Sequence, residues 1–479
     1  MTAPDPQLVL LFMAHPLTGH ITPTLRIASH FSSLGHDVYF LGPTSHESRI
    51  KSAGCTFIPL LGSADINDLT YYTPSSTSTS PTDWQTRALQ DFRHLWIDTI
   101  PDEFRSFTAA VTHIQDAVPL FSARRFLVVC EAMFLGILPY FLNAGGGGGS
   151  GADLPNRIKT IALSIMVPFI RSPEIGPGFA DSLPFLPDRA QQTAQAAKQW
   201  SDWEERTAHL SELMDEKLMQ AGAQFGLGRT GPFLSGANYT LPHVRDGHSR
   251  ILQLGVPSFF YPREEGFPPN FRFVGVLPPA AEPPATGWAN LPSWWREVTS
   301  SAAARTKKIV VVAQGTVEVD PRDLIIPTVS AMASRTEDVL VVAILGRKGA
   351  TLPRDFNTAP KNVRVTDYLH YDAILPYASA WVHNGGYGAV QHGIAHGVPM
   401  VVTGEGQDKA DNAKRIAWSG IGVNLGAVRP DAEKVKVALE AVLDEEKYKK
   451  RVSELLDESK KLDCFRLAEE EILAVAHEE

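Results

Sequence analysis

The sequence predicts two α/β domains in tandem, each organised on a parallel sheet, and three observations carry this. Short, wholly apolar runs alternate with segments of helical periodicity in both halves, the pattern of strands buried on both faces and joined by crossover helices. The 479 residues exceed what one compact core holds and suit two. Between the halves, residues 277–292 read LPPAAEPPATGWANLP, proline-dense and without periodicity, as a linker does. The domains are therefore placed at 1–276 and 307–460, with 277–306 between them and a last helical segment at 461–479.

Apolar content of 44% with 20% charge is that of a soluble globular chain. A formal net charge of −9, with no basic run, argues against nucleic acid or anionic membrane as the main partner. Three cysteines, Cys55, Cys130 and Cys464, have no metal-ligand spacing and an odd count, which disfavours a disulfide framework and fits a reducing, cytoplasmic setting. The first apolar run, 8–14, lacks a basic flank and reads as a strand rather than a signal sequence. No stretch approaches the roughly 20 apolar residues that span a bilayer.

In chain order, 8–13 is the first strand, and Thr22-Pro23 are placed as N-cap and first-turn proline of a helix. That helix buries Leu25, Ile27, Ala28, Phe31 and Leu34 and stops at Gly35. Strands follow at 38–41 and 56–60, then a Ser/Thr/Pro-rich loop over 63–83. Residues 84–112 read as one helix, whose Phe92, Leu95, Trp96, Ile100, Phe104 and Phe107 are core by default, with an aromatic ligand pocket as the alternative. A strand at 125–130 ends in Glu131 and precedes an apolar helix, 132–142. GGGGGSG at 145–151 has the composition of a flexible linker, inserted or natural, on the side of the sheet away from the ligand edge. Strands at 158–165, 251–254 and 271–276, with a Trp-containing helical stretch at 186–224, complete the first half. The second half has strands at 308–313, 339–345 and 363–366, and ends in charged helices over 431–479, of which 465–476 is amphipathic.

Chemistry concentrates in 383–413, HNGGYGAVQHGIAHGVPMVVTGEGQDKADNA. An apolar run, 378–382, leads into a glycine-rich turn and then a short amphipathic segment closed by Gly397. Such a turn aims backbone N–H groups and the positive end of a helix at one point, where anions gain about 0.3–1 kcal/mol. A further strand, 399–402, delivers the polar cluster 405–411 to the same sheet edge, so a phosphate cradle stands beside hydroxyl-binding side chains. The ligand this describes is a phosphorylated sugar.

The order of these pieces resembles the donor-binding signature of the family 1 UDP-sugar-dependent glycosyltransferases, and GHITP at 19–23 matches the family's other mark. The resemblance covers most of the chain. It implies two Rossmann-like domains facing across a cleft (the GT-B fold), with the acceptor bound by the first and the UDP-sugar by the second. His20 falls on the family's catalytic histidine, and the resemblance makes it the general base, although a histidine in a turn is more often structural. His15, one short loop earlier, is a lesser candidate. Glu131 stands where the family usually has the Asp that supports that histidine, with one methylene more.

In the donor half, the resemblance implies a phosphate contact from His383 and backbone donors from the following loop, including Gly385, Gly386, Tyr387 and Gly388. Gly315 and Thr316 match a small-residue turn near the phosphates, or are an ordinary βα turn. Tyr368 stands in place of the uracil-stacking Trp of plant relatives, and Tyr371 would present its backbone to the base edge. Gln391 replaces the Glu that accepts from the ribose hydroxyls, keeping one acceptor oxygen. Asp408-Lys409 replaces the acid-Gln pair that grips the sugar; Lys can only donate, and this variant is similar to those of fungal members.

The expected activity is inverting transfer of a sugar, glucose by default, from a UDP-sugar to a hydroxyl of a small apolar acceptor such as a flavonoid, another phenolic or a sterol. The UDP-sugar is a co-substrate and no cofactor is expected. No metal is expected either, since no DxD-type aspartate pair stands at a strand end. Two rivals remain open at this point: an epimerase or hydrolase of the same fold, and a non-catalytic nucleotide-sugar binder, which the Gln391 and Lys409 departures make thinkable.

Overall fold

The computed structural model of the protein describes residues 7–71, 84–144, 158–168, 170–178, 182–222, 247–280, 291–315, 320–353, 356, 360–404 and 406–478. The glycine-rich run 145–151, Thr316 and most of the proline-dense stretch, 281–290, lie outside them.

Seven strands form the first sheet: β1 (Val9–Met13), β2 (Asp37–Gly42), β3 (Thr56–Pro59), β4 (Phe126–Glu131), β5 (Lys159–Ser164), β6 (Arg250–Leu254) and β7 (Phe271–Gly275). Six form the second: β8 (Lys308–Ala313), β9 (Val339–Ile344), β10 (Val363–Thr366), β11 (Ala380–His383), β12 (Met400–Val402) and β13 (Gly422–Asn424). The spatial orders are β3-β2-β1-β4-β5-β6-β7 and β10-β9-β8-β11-β12-β13, with parallel ladders throughout. Both sheets therefore wind outward in two directions from a central pair, β1/β4 in one and β8/β11 in the other. Ligands of open parallel sheets collect at the carboxyl ends of such a pair, where the winding reverses.

The central strands are apolar because they are covered on both faces: β1, VLLFM, and β9, VLVVAI, are buried throughout. One apolar cluster joins the domains, running from Val256, Phe259, Phe260 and Val276 of the first to Ile309, Trp381, Tyr387 and Val390 of the second. The last helix, Cys464–His477, crosses to the first domain and buries Ala468, Ile472 and Val475 against the cluster that holds Leu8, Leu10 and Phe12. Arg250 on β6 pairs with Glu471 of that helix at 2.9 Å.

Five local readings need correction. The first helix spans Thr18–Ser33, so Thr22 and Pro23 lie inside it. The Thr22 hydroxyl donates to Thr18 O at 2.7 Å, and the start of the helix is capped from outside, Thr18 N–H donating to the Asp68 carboxylate at 2.9 Å. Leu34 ends the helix and is 46% exposed rather than buried. The expected single helix over 84–112 is divided into Trp84–Phe92, a π-helical turn at Arg93–Ile97, and Ile100–Ala117, which has Pro101 in its first turn, where a missing N–H costs nothing. Within the expected loop, Asp68–Tyr71 is a helical turn. Finally, the stretch assigned to the linker contains the helix Trp295–Ala303, whose Val298 belongs to the core beneath β8.

Candidate active site

His20 sits in the first turn of the helix after β1, and Glu131 is the last residue of β4, so the two flank the reversal point of the first sheet. Their side chains meet: His20 Nδ1 lies 3.0 Å from Glu131 Oε2, with Glu131 fully buried. The other carboxylate oxygen accepts from Met133 N–H at 2.9 Å, which fixes the direction of the carboxylate. An acceptor on Nδ1 keeps the ring proton there and leaves Nε2 with its lone pair, the form a general base needs. Burial pulls the His20 pKa down, but the charge and hydrogen bond of Glu131, with Asp408 and Asp68 adding, outweigh it and hold the pKa above the ordinary value.

His15 is fully buried and its Nε2 donates to Leu95 O at 2.9 Å. Burial, with the neighbouring His20, drives its pKa well below the usual range, so it stays neutral beside the ionisable ring. Its ring stacks on Trp96 at 4.5 Å, and Trp96 in turn on Phe92 at 4.8 Å. Trp96 lies within the π-helical turn Arg93–Ile97. Phe92, Leu95, Ile100 and Phe107 are core, as their default reading has it.

The second domain brings its own reversal point to the opposite wall. His383 ends β11 and is 1% exposed; its Nδ1 accepts from Gly385 N–H at 3.1 Å, so the proton resides on Nε2. Burial pushes its pKa down to about 3, making it a neutral N–H donor at any working pH. Gly385 has φ +86°, and a Cβ there would stand 2.9 Å from Thr403 O and 3.1 Å from Lys409 O. The loop therefore closes onto the backbone of the β12 segment, and only glycine permits it. Gly386 is the N-cap of the helix Tyr387–His396 and offers no side chain to its first turn, while Gly388 follows inside that turn. Gly315 stands at the end of β8 with φ +80°, and Gly346 supports it, since a Cβ on Gly346 would lie 2.3 Å from Gly315 O.

Three polar groups here are buried with no hydrogen-bond partner among the described residues: His383 Nε2, both amide atoms of Gln391, and Asn412 Oδ1. A buried polar atom left so costs about 1–3 kcal/mol, a cost that a bound nucleotide diphosphate would remove. Asn412 is otherwise anchored, donating to Gly385 O and to Asp408 Oδ2, both at 2.9 Å. Across the cleft, the charge of Asp408 helps raise the His20 pKa and that of His20 acts to lower the Asp408 pKa, which burial holds above its ordinary value. Tyr368 is 43% exposed, with its ring open to a stacking partner and Lys348 Nζ 6.0 Å from its centroid. The Tyr371 side chain packs on Trp381 and His392, which leaves its backbone as the part able to face a base.

The Tyr387 side chain is buried, and its hydroxyl donates to Leu254 O and accepts from Gln253 Nε2, a strut onto β6 of the first domain, which leaves the backbone N–H as the part able to reach a diphosphate. Lys409 is 6% exposed, and its charge acts on Asp408 and on Asp91 of the first domain. The sequence reading missed Asp68, Asp91, Asn412 and Gly346. Only Asn412, four residues after Asp408 on a helix face, carried a usable signal.

The pH dependence follows from these contacts. The base must be neutral to act, so turnover per encounter should fall as pH drops through the raised His20 pKa. The stability contributed by the pair runs the opposite way, being present below the ordinary histidine pKa and lost as pH rises through the raised one. We expect the acid limb of kcat/KM to lie above the ordinary histidine midpoint and to move down in Glu131→Gln, with kcat reduced and UDP affinity unchanged. An unmoved limb and undiminished kcat would remove Glu131 from the mechanism.

Comparison with known proteins finds relatives along nearly the whole chain. Residues 332–464 match the family model described as erythromycin biosynthesis protein CIII-like, C-terminal domain. UDP-glucosyltransferase 1 of Beauveria bassiana is 33% identical over 471 residues, covering 97% of this chain and 95% of that protein. UDP-glucosyltransferase B1 of Starmerella bombicola is 31% identical, covering 97% and 98%. Among solved structures, the kitacinnamycin glycotransferase superposes with a TM-score of 0.64 at 18% identity, over 97% of this chain and 98% of its own. Glycosyltransferase VinC, solved in complex with DTDP, gives 0.59 at 18% identity, over 98% and 99%.

Proposed function

Because the chain belongs to the family 1 UDP-glycosyltransferases and has their two-domain GT-B fold, we propose that it transfers glucose from UDP-glucose, with inversion, to a hydroxyl of a small apolar acceptor. The observation that carries this is the His20–Glu131 pair at 3.0 Å on one wall, within the field of Asp408 on the other.

His20 Nε2 takes the proton of the acceptor hydroxyl as that oxygen attacks the anomeric carbon, and Glu131 steadies the imidazolium that forms. The glycosidic electron pair leaves with UDP. The negative charge arriving on the diphosphate meets the neutral His383 Nε2–H, the loop N–H groups and the start of the helix Tyr387–His396. Attack from the side opposite UDP turns an α-linked donor into a β-glucoside. Asp408, held by Asn412, is placed to accept from the sugar hydroxyls. Phenolics, flavonoids and sterols are the acceptor classes we propose, and the buried, unpaired cysteines favour a reducing, cytoplasmic setting.

Incubation of a panel of phenols and sterols with several UDP-sugars, read by mass spectrometry, tests this reading. A hexose adduct formed from UDP-glucose at an undiminished rate in EDTA is the expected result. UDP-sugar consumed without an adduct would favour a hydrolase or epimerase, and loss of transfer in EDTA restored by magnesium or manganese would overturn the metal-free route.

A further inference from the structure

Outside the base-and-donor machinery, three ligand-type side chains converge beside the linker. His392 and His396 are one helical turn apart on the helix Tyr387–His396, and Asp372 lies in the short helix Tyr371–Ile374 next to it. Asp372 Oδ1 is 3.0 Å from His392 Nδ1 and 2.9 Å from His396 Nε2, and all three atoms lie within 4.8 Å of one another. The second carboxylate oxygen accepts from Ala280 N–H, where the linker leaves the first domain, at 3.2 Å. No lysine or arginine ion pair with Asp372 occurs among the described residues. The Arg26 guanidinium, on which the Asp372 charge acts, is engaged on Pro278 O at 2.6 Å.

We propose that Asp372, His392 and His396 form a binding site for a transition-metal ion of the zinc type. Two imidazole nitrogens and one carboxylate oxygen, spaced as they are, are the donor set such ions select over magnesium or calcium. Ligands about 2.1 Å from a tetrahedral ion sit about 3.4 Å apart, so each ring nitrogen would stand about 0.4 Å farther from the carboxylate, and the two nitrogens, now within 4.8 Å of each other, would take the same spacing. His392 is 33% exposed, which leaves an entry path and a fourth position for water. The carboxylate is already oriented by the linker N–H, as metal-bound carboxylates commonly are. On metal uptake each neutral ring moves its proton to the other nitrogen, and a protonated ring releases one to solvent.

The ion would tie Tyr371–Ile374 to the helix whose opposite end carries the diphosphate loop, and so stiffen the nucleotide half without entering the chemistry. The site does not depend on the identity of the sugar or acceptor, so it stands or falls separately from the proposed reaction.

The test is titration of chelator-stripped full-length protein with Co(II), read by the visible band of the tetrahedral ion, and with Zn(II), read by competition and by Tm. One equivalent should bind per chain with a rise in Tm, and His392→Gln, His396→Gln and Asp372→Asn should each weaken binding more than about tenfold. His392→Gln, the most exposed change, should keep the metal-free Tm and UDP affinity of the parent, which separates loss of the site from loss of the fold. Absence of a Co(II) band in the parent protein, or a band that survives in the His392→Gln/His396→Gln double variant, would overturn the proposal.

Discussion

His20→Ala should lower kcat for sugar transfer by about 10²–10⁴, the range a positioned general base contributes, while leaving the dissociation constant for UDP within about twofold. The split is expected because the ring belongs to the first domain and its only described side-chain hydrogen bond is to Glu131. Nothing in the diphosphate loop rests on it. Removing the ring leaves Glu131 buried with one oxygen on Met133 N–H and the other unpaired, which costs some stability. His20→Gln is therefore the companion variant: it retains a donor for Glu131, restores the lost stability and still cannot act as a base. Full turnover in either variant, measured with saturating UDP-glucose and acceptor, would dismiss His20 as the base.

Gly385→Ala should produce the mirror image, weakening UDP binding by more than about tenfold. Two penalties combine. A left-handed backbone costs a non-glycine residue roughly 1–2 kcal/mol, and the new methyl would press on two backbone oxygens, Thr403 O and Lys409 O, neither of which can swing aside as a side chain would. The loop would relax outward, taking Gly385 N–H off His383 Nδ1 and freeing the tautomer that now keeps the proton on Nε2. Calorimetric titration with UDP checks this. An unchanged dissociation constant would mean that the diphosphate sits elsewhere, and the reading of the 383–388 turn would fail with it.

Much of the site was legible because its residues stand at strand ends. A buried parallel strand is a plain apolar run, so pattern places Glu131, Gly315 and His383 at strand ends and His20 where the first strand gives way to its helix, while the family resemblance supplies their roles. What pattern cannot supply is contact between segments far apart in the chain. Asp68 caps the helix at Thr18, and Trp96 stacks on His15. Each partner sits in a stretch that reads as loop or ordinary core. The first helix was started too late because a Thr-Pro pair is a strong opening signal, yet a carboxylate supplied from Asp68 had already opened it one turn earlier. The Tyr387 side chain, too, follows the helix face turned to β6. That face is set by how the two halves meet, and no local spacing encodes it.

That meeting has a practical corollary for anyone recombining this enzyme with a relative to alter its acceptor range. The carboxyl-terminal tail is covalently part of the second half, yet its apolar residues complete the core of the first. A graft cut only at the proline-rich junction would seat a foreign first half against a tail evolved for another surface. A functional chimera needs a second crossover, near Asp463, so that each first half travels with its own tail.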